Sequence, residues 1–231
     1  MVDHKILFVI PARGGSKGIP KKNIKLLDGK PLIVYALEVA RKFTSDENIC
    51  ISTDDEEIIS VVGSYGYEVP FRRPPILASD TAGTYEVLIH AIEFYETKGL
   101  SFDTLVLLQP TSPFRNYRHI QEAMELYSTS LDMVVSVKES HANPYLTIVE
   151  ENEEGLLQKS KPSNFTRRQD APKVYEYNGA VYVINVQSLK NSPINKFTKV
   201  KKYVMDELHS IDLDTPMDWA YCEFLIQNKY V

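Results

Sequence analysis

Cysteine and tryptophan are scarce in this chain of 231 residues, which contains two cysteines and one tryptophan. Cys50 and Cys222 lie far apart, and they provide neither a disulfide framework nor the paired spacing of a zinc site. We therefore expect two reduced, structural cysteines, as is usual for a protein of the cytoplasm.

Long hydrophobic runs are absent as well. Residues 1–5 are polar, and the apolar run that follows them is too short for a signal peptide. No segment approaches the ~20 apolar residues that a membrane-spanning helix needs. The length and the 43% content of hydrophobic residues predict a single domain over residues 1–231, cytoplasmic and without a membrane partner.

Positive charge is not in excess either, because 26 Lys and Arg face 31 Asp and Glu, for a formal net charge of -5. Proteins that bind nucleic acid usually carry the opposite balance. The basic run at residues 196–202 alternates with apolar side chains, and we interpret it as a solvated connection. The sequence thus argues against a nucleic-acid partner.

What the chain does contain is a local basic loop, residues 11–23 (PARGGSKGIPKKN), directly after an apolar run at residues 6–10. Its cations are Arg13, Lys17, Lys21 and Lys22. Its glycines let backbone N–H groups converge on an anion, and the cations add full charges. The loop matches neither the P-loop spacing nor the GxGxxG pattern. We interpret it as a site for a nucleoside triphosphate; the alternative is a glycine-rich surface turn with solvated lysines.

Strand-like and helix-like patterns alternate over the first 140 residues. The predicted strands are residues 6–10, 48–52, 104–108, 133–137, 180–185 and 203–205. The predicted helices are residues 31–43, 56–64, 85–95 and 120–127, and a final helix that Thr215 begins. Near-continuous apolar strands between amphipathic helices indicate an α/β fold with a mainly parallel sheet covered on both faces. We assign the segment Thr53–Glu56 to helix initiation, as a capping box.

The regular alternation breaks between residues 143 and 172. Two short extended runs, residues 145–150 and 155–160, flank the polar turn Glu151-Asn152-Glu153-Glu154. This pattern predicts a small hairpin that protrudes from the main sheet.

Asp212 and Asp214 stand two residues apart in an extended segment, so their side chains share one face. Two such carboxylates can hold Mg²⁺, which prefers oxygen ligands together with substrate phosphates. The alternative is helix initiation, because Thr215-Pro216-Met217-Asp218 has the form of a helix start. Helix initiation accounts for Asp218 but leaves Asp212 without a role, so we favour metal binding.

Three polar loops follow predicted strands: the basic loop, residues 109–113 and residues 210–215. Ligands of open α/β sheets bind beyond the carboxyl ends of the strands, so we expect these loops on one rim. Gln109 ends an apolar strand, where an unpaired amide would be costly, and it is predicted to face a polar ligand.

Two further groups of residues are candidates for ligand contact. Arg73, in a proline-stiffened loop, is a candidate for contact with a nucleotide, whereas Asp80 is equally a candidate, with Ser79 or Thr81, for a helix N-cap. Arginine pairs bind carboxylates in bidentate fashion, which makes Arg167-Arg168 a candidate for an acidic ligand. The alternative is a surface ion-pair network with Asp170 and Glu176.

Several segments together resemble the acylneuraminate cytidylyltransferases, or CMP-sialic acid synthetases, of the bacterial single-domain type. They are ARGGSKGIPKKNI, ASDTAG, LLQPTSP, RRQD with a following NGA, and SIDLDT. The resemblance covers nearly the whole chain in order. It implies a Rossmann-like fold of the nucleotide-diphospho-sugar transferase type. It also implies transfer of CMP from CTP to the anomeric hydroxyl of a nonulosonic sugar acid, with release of pyrophosphate and with Mg²⁺ as cofactor (Mn²⁺ can substitute).

The resemblance also implies roles for individual residues. The catalytic set would be Arg13, Lys17, Lys22, Asp212 and Asp214, of which the two aspartates bind the metal. The nucleotide would be bound by Ala12, Arg13, Gly14, Ser16, Asn23, Arg73 and Asp80. The sugar would contact Gln109, Arg168 and Asn178. Arg168 would reach the sugar from the neighbouring subunit, so residues 143–172 are expected to be a dimerisation or lid insertion of a homodimer with shared active sites.

Two positions depart from the pattern of this family. Leu146 and Glu176 stand where some bacterial members carry a lysine and an arginine that read the acidic sugar. The sugar therefore stays open among N-acetylneuraminic, legionaminic, pseudaminic and related nonulosonic acids. The alternatives are an eight-carbon sugar acid, a glycosyltransferase whose D-x-D motif is Asp212-Leu213-Asp214, and a non-catalytic nucleotide-sugar sensor.

Overall fold

Apolar runs of the sequence form the strands of a central sheet in the computed structural model of the protein, which describes residues 5–79 and 81–231. In chain order the strands are β1 (Ile6–Pro11), β2 (Leu26–Leu27), β3 (Lys30–Pro31), β4 (Ile49–Ser52), β5 (Thr104–Leu107), β6 (Met133–Glu139), β7 (Val149–Glu151), β8 (Leu157–Lys159), β9 (Tyr175–Asn185) and β10 (Val200–Val204). Within the described residues, six strands form the central sheet in the order β10-β6-β9-β5-β1-β4.

Every pairing in the central sheet is parallel except those of β9, which runs antiparallel to β5 and β6. The prediction of a mainly parallel α/β sheet is thus confirmed. Strand β9 also bulges, because Tyr182 pairs with Val135 whereas Tyr177 pairs with Val137. Residues 178–181 therefore stand out of register, and bulges of this kind commonly redirect side chains next to functional sites.

Helices cover both faces of the sheet. They are α1 (Leu32–Ala40), α2 (Glu56–Ser64), α3 (Thr84–Thr97), α4 (Tyr117–Glu125), α5 (Val186–Asn191) and α6 (Pro216–Gln227). Short 3-10 turns occur at Lys22–Ile24, Asp46–Asn48, Pro75–Leu77, Arg168–Asp170, Ile194–Lys196 and Leu208–Ser210. Helices α1, α2 and α4 pack on one face, and α3 and α5 on the other. No helix in the described ranges has both the length and the hydropathy needed to cross a membrane.

A separate apolar cluster, the C-terminal docking cluster, attaches α6 and the segment before it to the basic loop. It consists of Ile19, Leu27, Leu32, Leu213, Trp219 and Cys222. Leu213 is fully buried while Asp212 and Asp214 beside it are exposed, as the alternating pattern predicts. Burying each large side chain contributes roughly 1.5–3 kcal/mol, so this cluster fixes the position of the two aspartates.

Three local predictions are wrong. Residues 196–202 are not merely a connection, because Val200–Val204 pairs with β6 as the edge strand β10. Thr53 does not cap α2; the carboxylate of Asp55 accepts the Glu57 and Ile58 backbone N–H groups, at 2.7 and 3.2 Å. The N-cap of α3 is Gly83 rather than one of residues 79–81.

The predicted protruding hairpin is present as β7 and β8, which pair with each other and with no strand of the central sheet among the described residues. Its apolar side chains Leu156 and Leu157 are 60% and 71% exposed. The dimerisation role of residues 143–172 stays a prediction. Thr215 begins α6 as predicted, in a reciprocal capping box with Asp218.

Candidate active site

The basic loop is held against the carboxyl ends of β1 and β4. Ala12 is buried, and its backbone N–H donates to the Ser52 carbonyl at 2.9 Å. The Gly14 N–H donates to the Asp54 carboxylate at 3.0 Å, and the Asn23 amide donates to the Arg13 carbonyl at 3.0 Å. Asn23, within the loop, and Asp54, beside it, thus hold the backbone of the loop in place through hydrogen bonds.

The two adjacent lysines of the basic loop have different partners. Lys21 adopts a left-handed backbone conformation and its ammonium forms an ion pair with Glu57 at 2.6 Å. Lys22, in contrast, contacts the segment before α6. Its side chain is only 12% exposed, and its ammonium donates to Asp214 at 2.9 Å and to the Leu213 carbonyl at 2.7 Å. Lys22 therefore connects the basic loop to the predicted metal-binding segment.

A cleft of about 460 Å³, the first cleft, opens between the basic loop and the ends of the neighbouring strands. Seven of the predicted site residues line it: Arg13, Ser16, Lys17, Lys22, Asn23, Gln109 and Asp214. The expectation that three loops share one rim is thus met by the structure. The cleft is lined mainly by cations and backbone of the basic loop, with one acid beside Lys22, which suits a polyanion with its counter-ion.

A second cleft, of about 660 Å³, lies beside the first and contains Asp212 and Asn178. Gly179 lies close to one side chain of each cleft, Gln109 and Asp212. A Cβ atom at Gly179 would lie 3.6 Å from Gln109 Oε1 and 3.7 Å from Asp212 Oδ2, and its backbone has φ of +73°. The glycine thus lets β9 pass between the two side chains in a conformation that other residues rarely adopt.

The Asp212 carboxylate is in an unfavourable place for a negative charge. Although its residue surface is exposed by area, protein atoms around the carboxylate displace water and raise its pKa; the neighbouring Asp214 raises the pKa further, whereas the Lys22 ammonium lowers it. A divalent cation between Asp212 and Asp214 would supply the missing positive charge. Because the pKa of Asp212 is raised, acidification protonates this ligand before an ordinary aspartate, so cation binding weakens first there. The donor set fits Mg²⁺, which takes carboxylate oxygens.

Asn178 lies in the bulge of β9, and its side-chain amide is fully engaged by the protein. It accepts from the Ser136 hydroxyl at 2.6 Å and donates to the Ser210 hydroxyl at 2.9 Å. Asn178 thereby ties β6, β9 and the segment before Asp212 together. Its contact with the sugar stays a prediction.

Arg115 is a residue of the site that the sequence analysis missed. It is 4% exposed, and Nη1 donates to the Ala180 carbonyl at 3.0 Å, on the inner side of the bulge. Its Nε and Nη2 atoms have no hydrogen-bond partner among the described residues. Burial lowers its pKa to about 9, and the Asp212 carboxylate acts in the opposite direction. The guanidinium thus supports the bulge and places a buried positive charge near Asp212. No local signal marks it, because it stands in the polar stretch 115–119 (RNYRH) and its partner lies 65 positions away.

The remaining predicted residues that the structure describes do not line the first cleft. Arg73 is 4% exposed, and its guanidinium donates to the hydroxyl of Ser52, at 3.0 Å, and to the Ser52 carbonyl. Arg168 lies in the segment after the hairpin, 3.4 Å from Nδ1 of His141, which lines the second cleft. Gly14 borders a neighbouring acidic depression with Arg13, and Asp80 lies outside the described residues. The ligand contacts of these residues stay predictions.

Sequence comparison agrees with this geometry, since the sequence model of a family described as cytidylyltransferase matches residues 7–230. The chain belongs to the cytidylyltransferase family. It is therefore a nucleotidyltransferase, and the family predicted from the motifs is confirmed.

Relatives of this cytidylyltransferase include enzymes named for two different sugar acids. A CMP-N,N'-diacetyllegionaminic acid synthase of Legionella pneumophila is 33% identical over 96% of this chain and 97% of its own length. An N-acylneuraminate cytidylyltransferase of Escherichia coli is 34% identical over 97% of this chain and 53% of its own length. Among solved structures, a CMP:2-keto-3-deoxy-manno-octonic acid synthetase in complex with CTP superposes with a TM-score of 0.71 at 17% identity, covering 97% of this chain and 99% of that one. This last similarity confirms the fold.

Proposed function

We propose that this cytidylyltransferase transfers CMP from CTP to the anomeric hydroxyl of a nonulosonic sugar acid and releases pyrophosphate. The observation that carries the proposal is the contact of Lys22 with Asp214, at 2.9 Å, where the basic loop meets the carboxylate pair between two clefts. One cleft then takes the triphosphate and the other takes the acceptor. The expected absence of disulfides, nucleic-acid partners and membrane segments suits an enzyme of the cytoplasm that acts on small anionic substrates.

The chain's own residues suggest how the transfer is promoted. Arg13, Lys17 and the backbone N–H groups of the basic loop bind the β- and γ-phosphates and stabilise the charge that builds on the leaving pyrophosphate. Lys22 holds Asp214 in place from the same loop. Asp212 and Asp214 would hold Mg²⁺ or Mn²⁺, which supplies Lewis-acid stabilisation of the phosphate oxygens. Asp212, facing the second cleft with a raised pKa, is placed to take the proton of the attacking hydroxyl.

The second cleft suggests which sugars fit. Glu176, one of the two departures from the family pattern, lines this cleft and pairs with Lys138 at 3.4 Å. Lys138 places a positive charge in the cleft, but its ion pair with Glu176 offsets that charge. Binding of the sugar carboxylate therefore needs a further cation, for which Arg168 is the candidate. The Legionella relative is named for a legionaminic acid derivative, and its match spans nearly both full lengths. We therefore rank legionaminic acid before N-acetylneuraminic acid.

We also propose a homodimer in which the hairpin segment completes the partner's second cleft. Apolar side chains of this segment and of β9 are exposed: Ile148, Val149, Leu156, Leu157 and Tyr177. Four of these five side chains lie on the protruding segment, and such a concentration is typical of an interaction surface.

The reaction is tested by measuring pyrophosphate release with CTP, Mg²⁺ and one sugar acid at a time. The panel contains N-acetylneuraminic, legionaminic and pseudaminic acids and the eight-carbon 3-deoxy-octulosonic acid. We expect release with a nonulosonic acid, legionaminic acid first. Release with the eight-carbon acid alone would contradict the proposed acceptor, and CTP binding without release across the panel would favour a non-catalytic role.

Arg168→Ala is expected to raise the KM for the sugar acid by about tenfold or more and to leave the KM for CTP unchanged, because a guanidinium binds a carboxylate in bidentate fashion. Steady-state kinetics with each substrate varied in turn measures the difference. Arg167→Ala is the matched control, because Arg167 is committed to an ion pair with Asp170 at 2.7 Å. Equal losses for both substrates in Arg168→Ala would contradict a role in carboxylate binding.

A further inference from the structure

Two histidines and an aspartate converge outside both clefts. His119 comes from the first turn of α4, and Asp206 and His209 come from the turn that follows β10. One potential ligand atom from each lies within 4.8 Å of the other two. His209 Nδ1 is 2.8 and 2.9 Å from the two oxygens of Asp206, and the rings of His119 and His209 have centroids 4.7 Å apart.

These separations match those of ligands on one octahedral ion. A metal-bound imidazole has its nitrogen about 2.1 Å from the ion, so its ring centre lies roughly 3.2 Å away. Two rings at right angles on one ion then have centres about 4.5 Å apart, against roughly 5.2 Å for tetrahedral angles. A nitrogen and an oxygen at right angles would be about 3.0 Å apart. The ring separation of 4.7 Å lies nearer the octahedral value, and the 2.8 Å contact, a hydrogen bond in this structure, shows that both groups are close enough to reach one ion.

We propose that His119, Asp206 and His209 bind a divalent transition-metal ion, with the remaining positions open to water. Imidazole nitrogens suit Ni²⁺, Co²⁺, Fe²⁺ and Zn²⁺, whereas Mg²⁺ prefers oxygen ligands throughout. The site therefore selects a different class of ion from the pair Asp212 and Asp214, and Ni²⁺ is a suitable probe of it.

Binding replaces the hydrogen bond between His209 Nδ1 and Asp206 with bonds from both groups to the ion, and it opens a second hydrogen bond, at His119. His119 Nδ1 accepts the Asn116 backbone N–H at 3.2 Å, so the ring proton is on Nε2 in the metal-free protein. Ligation through Nε2 moves that proton to Nδ1 and breaks this contact. A capping bond is worth about 1 kcal/mol, which is small compared with the free energy of binding a metal through three protein ligands.

A bound ion would join α4 to the turn that leads into the active site. Ser210, next to His209, accepts the Asn178 amide at 2.9 Å, and Asp212 follows two residues later. Occupancy would thus fix the segment that positions Asp212, through a contact separate from the Lys22–Asp214 ion pair.

The proposal is tested by calorimetric titration of the protein with Ni²⁺ in the presence of excess Mg²⁺, which occupies the carboxylate pair. We expect one Ni²⁺ per chain, and an affinity at least about tenfold lower in His119→Gln and in His209→Gln. His90→Gln, on α3, removes a histidine outside the cluster and is expected to bind Ni²⁺ as the unmodified protein does. No stoichiometric binding, or undiminished binding by both cluster variants, would overturn the proposal.

Thermal unfolding gives a second readout that is independent of turnover. An ion that binds only the folded state raises the Tm, so Ni²⁺ is expected to raise it in the unmodified protein and in His90→Gln but not in His209→Gln. If His209→Gln does not fold, Asp206→Asn takes its place. A Tm that rises equally in the cluster variants would contradict the site. Neither calorimetry nor thermal unfolding depends on the transferase reaction. If the proposed transferase activity were disproved, the outcome of this test of metal binding would still stand.

Discussion

Asp212→Ala and Asp214→Ala are each expected to lower kcat by about three orders of magnitude or more, which corresponds to ~4 kcal/mol of lost transition-state stabilisation. Each change removes one of the two carboxylates that would hold the metal, and Asp214→Ala also removes the ion-pair partner of Lys22. Pyrophosphate release under saturating CTP and sugar acid measures the effect. Both aspartates are exposed, so the fold should persist in each variant.

The matched control for these two changes is Glu125→Gln, which neutralises an exposed acid on α4 that lines neither cleft. Its turnover is expected to equal that of the unmodified protein. Circular dichroism and Tm show whether Asp212→Ala and Asp214→Ala remain folded. Near-normal turnover of either aspartate variant in Mg²⁺ would refute the metal assignment.

Gly18→Ala is expected to lower kcat/KM by about a hundredfold, because it would shift the position of Asp214 without removing any charged or polar side chain. A Cβ atom at Gly18 would lie 2.1 Å from the Asp214 carbonyl oxygen, so the backbone of one segment must move. That movement displaces Asp214 relative to the basic loop, and a misplacement of about 1 Å can cost a factor of 10² in rate. The measurement is kcat/KM for CTP, together with the Tm.

Gly63→Ala is the control that makes the same chemical change elsewhere. Gly63 lies within α2, and a Cβ atom there would have nothing within 4 Å. We expect unchanged kinetics and a slightly higher Tm, because alanine is favoured over glycine in a helix by about 0.8–1.0 kcal/mol. If Gly18→Ala behaved like Gly63→Ala, the close packing of the basic loop on Asp214 would not matter for catalysis.

The central strands were predictable because their signal is local. A strand buried on both faces needs a continuous apolar run, and residues 6–10 and 104–108 have one whatever the rest of the chain does. The first half of strand β10 was missed, although residues 203–205 were predicted as a strand, because an edge strand carries charged residues to solvent, here Lys201 and Lys202, which resemble a connection. Its pairing with β6 depends on residues far away in the sequence, which no local pattern reports.

The difference between local patterns and contacts between distant residues also explains which parts of the candidate site could be predicted. Topology was enough to predict that the basic loop, Gln109 and Asp214 lie on one rim, because all follow strands of one sheet. It could not show that Asp54 organises the loop by accepting from Gly14, a contact across 40 positions. Nor could it reveal Arg115, since a buried arginine is rare and its partner lies 65 positions away.

The contact between Lys22 and Asp214 joins positions 192 residues apart, so the ribosome synthesises the two residues at different times. At about 5–20 residues per second, a ribosome needs roughly 10–40 seconds to add the intervening residues. During that interval the nascent chain contains the basic loop, the proposed triphosphate site, without the two aspartates of the proposed metal site. A product terminated early, before residue 212, would lack both aspartates together with Leu213, Trp219 and Cys222 of the C-terminal docking cluster, so we expect it to show no transferase activity rather than slow activity.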